Sequence, residues 1–165
     1  MMLEKIVSGG QTGVDRAALD VALQLGIPCG GWCPRRRRAE NGPIPSLYPL
    51  QETASSVYRD RTERNVRDSD ATLVLTVGPP RGGTATTIQL AAQHHRPCLV
   101  LDLSQNPGPG AVRAWLNDNG IATLNVAGPR ESGIPGIHGQ ARDFLRQCLV
   151  DRAATASPPR MPDGT

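Results

Sequence analysis

Residues 6–25 read Ile6-Val7-Ser8-Gly9-Gly10-Gln11-Thr12-Gly13-Val14-Asp15-Arg16-Ala17-Ala18-Leu19-Asp20-Val21-Ala22-Leu23-Gln24-Leu25, and this stretch decides the fold. A short apolar run ends in a glycine-rich turn. From Gly13 onward the period changes: Val14, Ala17, Ala18, Val21, Ala22 and Leu25 fall at i, i+3, i+4, i+7, i+8 and i+11, one face of a helix. Gly26 then stops the helix and Pro28 follows it. A strand that runs through a tight turn into a helix is the first half of a βαβ unit.

The same grammar repeats along the chain. Strands are predicted near 4–8, 29–33, 71–77, 97–101 and 121–126. Helices are predicted near 57–69, from 84 to about 94, over 110–119 and over 137–150. Residues 34–56 are predicted to be a long loop holding Arg35 to Arg38, of a length that is usually functional or mobile. Alternating strands and helices imply an α/β fold, a mostly parallel sheet of five or more strands with helices on both faces. All strand C-termini then share one edge, the edge at which such folds bind ligands.

Composition narrows the class. At 165 residues the chain is expected to be one domain over 1–152, with a Pro-rich, disordered tail over 153–165. The net charge is +3, and Lys5 is the only lysine. That balance suits a small phosphate ligand at least as well as nucleic acid. Cys29 and Cys33 are spaced as a poor zinc pattern, Cys98 and Cys148 sit in apolar runs, and no metal site is expected. No leader pattern and no membrane-length apolar stretch occurs, so a cytoplasmic location and no membrane partner are expected.

Three strand ends share one design: Ser8 to Gly13, Gly78 to Thr84, and Gly128 to Ser132. Glycines let a backbone come close to a ligand, and the helix start that follows offers unpaired N–H groups and the positive end of a dipole. Such turns are also the ordinary way βα units connect. Three at one edge, two with an arginine, favour anion binding. The ligand-binding set is therefore expected to be Gly9, Gly10, Gln11, Thr12, Gly13 and Arg16 in the first loop. Arg81, Gly82, Gly83 and Thr84 form the second, and Arg130 and Ser132 the third. Asn65 joins them from a helix whose inner face would mix Tyr58, Arg61, Thr62 and Val66 with it. No Walker A loop and no G-x-G-x-x-G fingerprint is present. The Arg35–Arg38 run lacks an aromatic platform, so solvation or phosphate capture is expected before nucleic-acid binding. Asp15, in the first turn of its helix, is either a dipole complement or a working carboxylate. Asp20 is expected to be a solvated or subunit-contact charge, His138 to lie at the surface, and His94 and His95 beside a helix end.

These motifs resemble a known family. Residues 8–20, with Gly30-Gly31-Trp32-Cys33-Pro34, Gly42-Pro43-Ile44-Pro45, residues 61–70, Gly82-Gly83-Thr84 and residues 124–132, are similar to the putative molybdenum carrier family of the SLOG superfamily. That superfamily also includes the lysine-decarboxylase-like phosphoribohydrolases. The resemblance implies a Rossmann-like three-layer fold and a homo-oligomer, dimer or tetramer. It also implies a nucleotide or a molybdopterin-type pterin phosphate, such as the molybdenum cofactor, as ligand. One departure bears on activity. The phosphoribohydrolases carry Pro-Gly-Gly-x-Gly-Thr-x-x-Glu at the second loop, whereas here residues 81–89 place Gln89 on the helix and no glutamate at that spacing. The departure favours a binding protein over the alternative, a hydrolase of nucleotide N-glycosidic bonds, in which Asp15 or Glu131 would supply the carboxylate.

Overall fold

A computed structural model describes residues 3–154. Five strands form the main sheet: β1 (Lys5–Val7), β2 (Cys29–Gly30), β5 (Ala71–Thr76), β6 (Cys98–Asp102) and β7 (Thr123–Ala127). Their spatial order is β2-β1-β7-β5-β6, and every pairing is parallel. Five helices connect or follow them: α1 (Val14–Leu25), α2 (Tyr58–Arg67), α3 (Gly82–Gln93), α4 (Pro109–Asp118) and α5 (Ile137–Ala154). A separate two-stranded parallel ribbon joins β3 (Trp32–Cys33) to β4 (Gln51–Glu52).

The layers follow from the apolar stripes. α1 buries Val14, Ala17, Ala18, Val21 and Ala22 against the sheet, and its left-handed Gly26 cap returns an N–H to the carbonyls of Ala22 and Leu23. α4 and α5 share this face through Val112, Leu116, Ala141, Phe144, Leu145 and Leu149. On the opposite side α2 and α3 meet through Val66, Leu90 and Ala91. All six residues of β5 are buried, as expected of a strand covered on both faces. The result is the α/β, Rossmann-like three-layer architecture.

Two expectations are corrected. The strand read over 29–33 is two strands. The chain leaves the main sheet at Gly31, where a Cβ would lie 2.4 Å from the Ser8 carbonyl oxygen. Cys29–Gly30 then pairs with β1 and Trp32–Cys33 with β4. The long loop over 34–56 is an ordered strap with its own small core of Leu19, Cys33, Ala39, Ile44 and Tyr48. Arg37 holds the strap's shape. Its guanidinium donates to the carbonyls of Pro45 and Tyr48 at 2.8 Å, Ile44 at 2.9 Å and Leu50 at 3.3 Å. One member of the arginine run thus braces the strap through four backbone carbonyls, two of which, Pro45 and Tyr48, also accept backbone N–H groups. Of the expected tail, residues 153 and 154 belong to α5, and 155–165 lie outside the described residues.

Candidate functional site

A cleft of about 810 Å³ opens at the C-terminal edge of the sheet, where β1, β7 and β5 end and α1 and α3 begin. α3 supplies one wall. Its first turn carries no side-chain cap, and Arg81 stands in extended conformation just before it. A Cβ at Gly82 or Gly83 would meet nothing within 4 Å. The helix therefore presents bare N–H groups and its positive dipole end to open space.

α2 supplies the facing wall. The mixed face seen in the sequence turns inward, and Tyr58, Arg61, Thr62 and Asn65 all line the cleft. Three guanidinium groups surround the Tyr58 ring, at 4.5 Å (Arg38), 5.3 Å (Arg61) and 5.4 Å (Arg130) from its centroid. Cation–π attraction accounts for each contact, and together they concentrate positive charge on one side of the cleft.

The floor holds a strongly perturbed carboxyl. Asp15 is buried, and its Oδ2 lies 3.9 Å from Arg61 Nη1. Burial pushes the Asp15 carboxyl up to about 6, against the opposing charge of Arg61, a Gln11 N–H bond, Arg16 and Arg130. Arg61 also donates to the Gly9 carbonyl at 2.5 Å. Gly9 is bare because a Cβ there would lie 2.3 Å from that guanidinium. Beside it, Gln11 Oε1 accepts the N–H groups of Thr12 at 3.1 Å and Glu40 at 2.9 Å. Those two donors fix the amide's orientation and leave Nε2 as a buried donor with no protein partner.

The structure divides the expected ligand set. Gly9, Gln11, Asn65, Arg81, Gly82, Gly83, Thr84 and Arg130 line the cleft. Asn65 is already committed, since its Oδ1 accepts the Trp32 N–H at 2.7 Å and its Nδ2 donates to the Trp32 carbonyl at 2.9 Å. Gly10, Thr12, Gly13, Arg16 and Ser132 lie outside the lining. The space beside Gly10 belongs to the strap: a Cβ there would sit 2.5 Å from Leu50 Cδ1 and 2.9 Å from Ile44 Cδ1. Arg16 donates to the Gly10 carbonyl at 3.1 Å and reaches Asn41 of the strap. Gly13 abuts the Pro129 carbonyl, so the first and third loops pack on each other. Thr12 and Ser132 both bond Glu40.

Glu131 also lies outside the lining. Its oxygens accept the N–H groups of Gly136 at 2.6 Å and His138 at 2.9 Å, at the start of α5. His138 Nε2 meets Asp20 at 2.8 Å, and Asp20 accepts the Tyr48 hydroxyl at 2.5 Å. Residues absent from the expected set include Arg59, Thr76, Thr87 and Asn125, all in the lining. Thr76 and Asn125 sit inside strand patterns where the apolar period hides them. Glu40 stands in an aperiodic loop and carries no local signal. Among the described residues no group of three or more His, Cys, Asp or Glu side chains is placed to hold a metal ion.

Comparison with known proteins bears on this geometry. Residues 6–149 match the Circularly permutated YpsA SLOG family. A crystal structure of a putative molybdenum carrier protein from Syntrophus aciditrophicus SB, at 1.45 Å resolution, superposes with a TM-score of 0.86. The two are 44% identical, over 90% of this chain and 96% of that one. No curated protein matches. The permutation has a counterpart in the sheet. Counting strands from β5 through β7 and then on to β1 and β2 turns the observed order into 2-1-3-4-5, a common doubly wound arrangement. Sequence match, superposition and strand order agree that this chain is a member of the Circularly permutated YpsA SLOG family.

Proposed function

We propose that the protein binds a phosphorylated, nucleotide-like small molecule in the cleft, with the phosphate on the N-terminus of α3. The observation that carries this reading is the uncapped Gly82–Gly83 turn, facing open space in a cleft lined by Arg59, Arg61, Arg81 and Arg130 against the single carboxyl of Asp15. The buried, unpartnered Gln11 Nε2 adds a donor that a ligand oxygen would satisfy. The name of the Syntrophus protein suggests a molybdopterin-type cargo. A pterin phosphate suits these donors. None of Cys29, Cys33, Cys98 and Cys148 lines the cleft, so a soft sulfur ligand for bare molybdenum is not offered there.

Calorimetry with a nucleoside 5′-monophosphate and its parent nucleoside tests the reading. The nucleoside should bind at least about tenfold more weakly, as expected for loss of one charge-assisted contact. Gly83→Leu should weaken the monophosphate by a similar factor with the melting temperature nearly unchanged, because its side chain enters open space. Equal binding of both compounds would remove the phosphate site.

A second reading is favoured by one observation, the Asp15 carboxyl pushed up to about 6 inside the cleft. A carboxyl of that pKa can protonate a leaving base near neutral pH, which supports N-glycosidic cleavage. Free base appearing in the calorimetry samples, and absent with Asp15→Asn, would establish it. Intact monophosphate after long incubation leaves binding as the function.

We extend the proposal to a homo-oligomer in the cytoplasm. Edge strand β6 leaves Val100 38% exposed with Leu99 and Leu101 half-buried beside it, apolar surface that a second copy would cover. A sedimentation mass of one chain at micromolar concentration would refute this. Among the described residues no helix is long and apolar enough to cross a membrane.

A further inference from the structure

The strap over 34–56 delivers a carboxylate to the place where the first and third loops meet. The Glu40 side chain is turned inward and only 18% exposed. Its Oε1 accepts the Thr12 hydroxyl and the Ser132 N–H at 3.2 Å, and its Oε2 accepts the Ser132 hydroxyl at 2.5 Å. Arg130 Nη1 stands 3.9 Å from Oε2. Burial works against this charge, but the Ser132 and Thr12 bonds and Arg130 outweigh it and hold the carboxyl below its usual range. Two hydroxyls, a backbone N–H and a guanidinium converging on two oxygens form the donor set of an oxyanion cradle. The cradle adjoins the cleft at two residues. Arg130 lines the cleft as well. Gln11 spends its Oε1 on the Glu40 N–H while its unpartnered Nε2 remains buried beside the cleft.

We propose that the Thr12–Ser132–Arg130 cradle is a second anion subsite, that Glu40 fills it as a tethered stand-in, and that an anionic group of the ligand takes it by displacing the strap. The inference rests on the phosphate-binding reading of the cleft and sharpens the ligand class: a small molecule with two anionic groups, one for the α3 terminus and one for the cradle. A tethered carboxylate competes at an effective concentration of about millimolar or higher. An incoming anion must outcompete it, and its removal should strengthen anion binding.

The test uses inorganic pyrophosphate and inorganic phosphate as probes on the full chain. Glu40→Ala should bind pyrophosphate at least about tenfold more tightly than the wild type, and should raise its preference over phosphate. Glu40→Gln should fall between the two, since it keeps one acceptor and loses the charge. In the wild type, saturating pyrophosphate should speed amide exchange across 34–56 as the strap is released. Affinity unchanged or lowered in Glu40→Ala would make Glu40 a simple staple and overturn the proposal. If that variant does not fold, wild-type exchange decides: unchanged or slower exchange in the strap overturns it equally. Failure of the cleft reading is seen separately, as equal binding of nucleotide and nucleoside with no effect of Gly83→Leu.

Discussion

Arg61→Met should destabilise the protein by about 3–5 kcal/mol at pH 8, the usual cost of leaving a buried charge alone, and by clearly less at pH 5. Arg61 is 7% exposed, lies over the Tyr58 ring, donates to the Gly9 carbonyl and the Thr62 hydroxyl, and pairs with the Asp15 carboxylate. The Asp15 carboxyl has a folded pKa of about 6, above the value of about 3.9 expected for an unfolded chain. Between those values the folded state holds the extra proton, so stability falls as pH rises through the interval. A shift of about two units corresponds to about 3 kcal/mol of instability at neutral pH. Removing Arg61 takes away the largest influence that lowers this pKa. The cost of the substitution is therefore largest where Asp15 is ionised and shrinks once it is protonated. What persists at pH 5 is the loss of the bonds to the Gly9 carbonyl and the Thr62 hydroxyl and of the contact with the Tyr58 ring. Urea unfolding at pH 5, 6, 7 and 8 measures this, and Asp15→Asn should flatten the profile in both backgrounds. A cost for Arg61→Met that does not change with pH would show that the two side chains are not coupled.

Gly13→Ala should be worse, costing about 4 kcal/mol or more, in the range that single substitutions reach only by a specific clash. Gly13 has φ of 81°, and a Cβ there would lie 2.3 Å from the Pro129 carbonyl oxygen and 2.8 Å from the Glu131 nitrogen. Both obstacles are backbone, so no side chain can move aside. Relief requires the first and third loops to part, and with them the Val14 N–H to Pro129 bond at 3.2 Å. Thermal unfolding by circular dichroism should show a large fall in melting temperature, or no folded protein. A melt within a few degrees of wild type would mean that the two loops separate freely.

These expectations differ from what spacing alone suggests, and the difference is instructive. A glycine in a βα turn marks a place where something comes close. The sequence does not say whether that something is a ligand, a guanidinium or another backbone. Gly82 and Gly83 face open space, Gly9 faces Arg61, Gly10 faces Leu50, and Gly13 faces Pro129. What was legible is local. The α1 stripe and the mixed face of α2 follow the helical period, the β5 run is continuous, and all three appear where the sequence places them. What was not legible is long-range and aperiodic. Glu40 reaches Thr12 across 28 residues and Ser132 across 92. Arg37 acts through carbonyls up to 13 positions away, and the split at Gly31 depends on Ser8. The edge at which the site lies follows from strand–helix alternation. The strand order does not, because no local pattern reveals which neighbour a buried strand will choose.

That order also governs how the chain is made. β7, the last strand among the described residues, sits between β1 and β5. Until Thr123–Ala127 leaves the ribosome, the main sheet can hold only two separate pairs, β1 with β2 and β5 with β6. Each pair has a bare edge facing the gap. At ordinary elongation speeds of about 5–20 residues per second, the first pair, complete at Gly30, waits roughly 5–19 s for its partner. For the later part of that wait β5, apolar except for Thr72 and Thr76 and unpaired on one side, is a template for another chain's strand. The wedge that completes the sheet comes last.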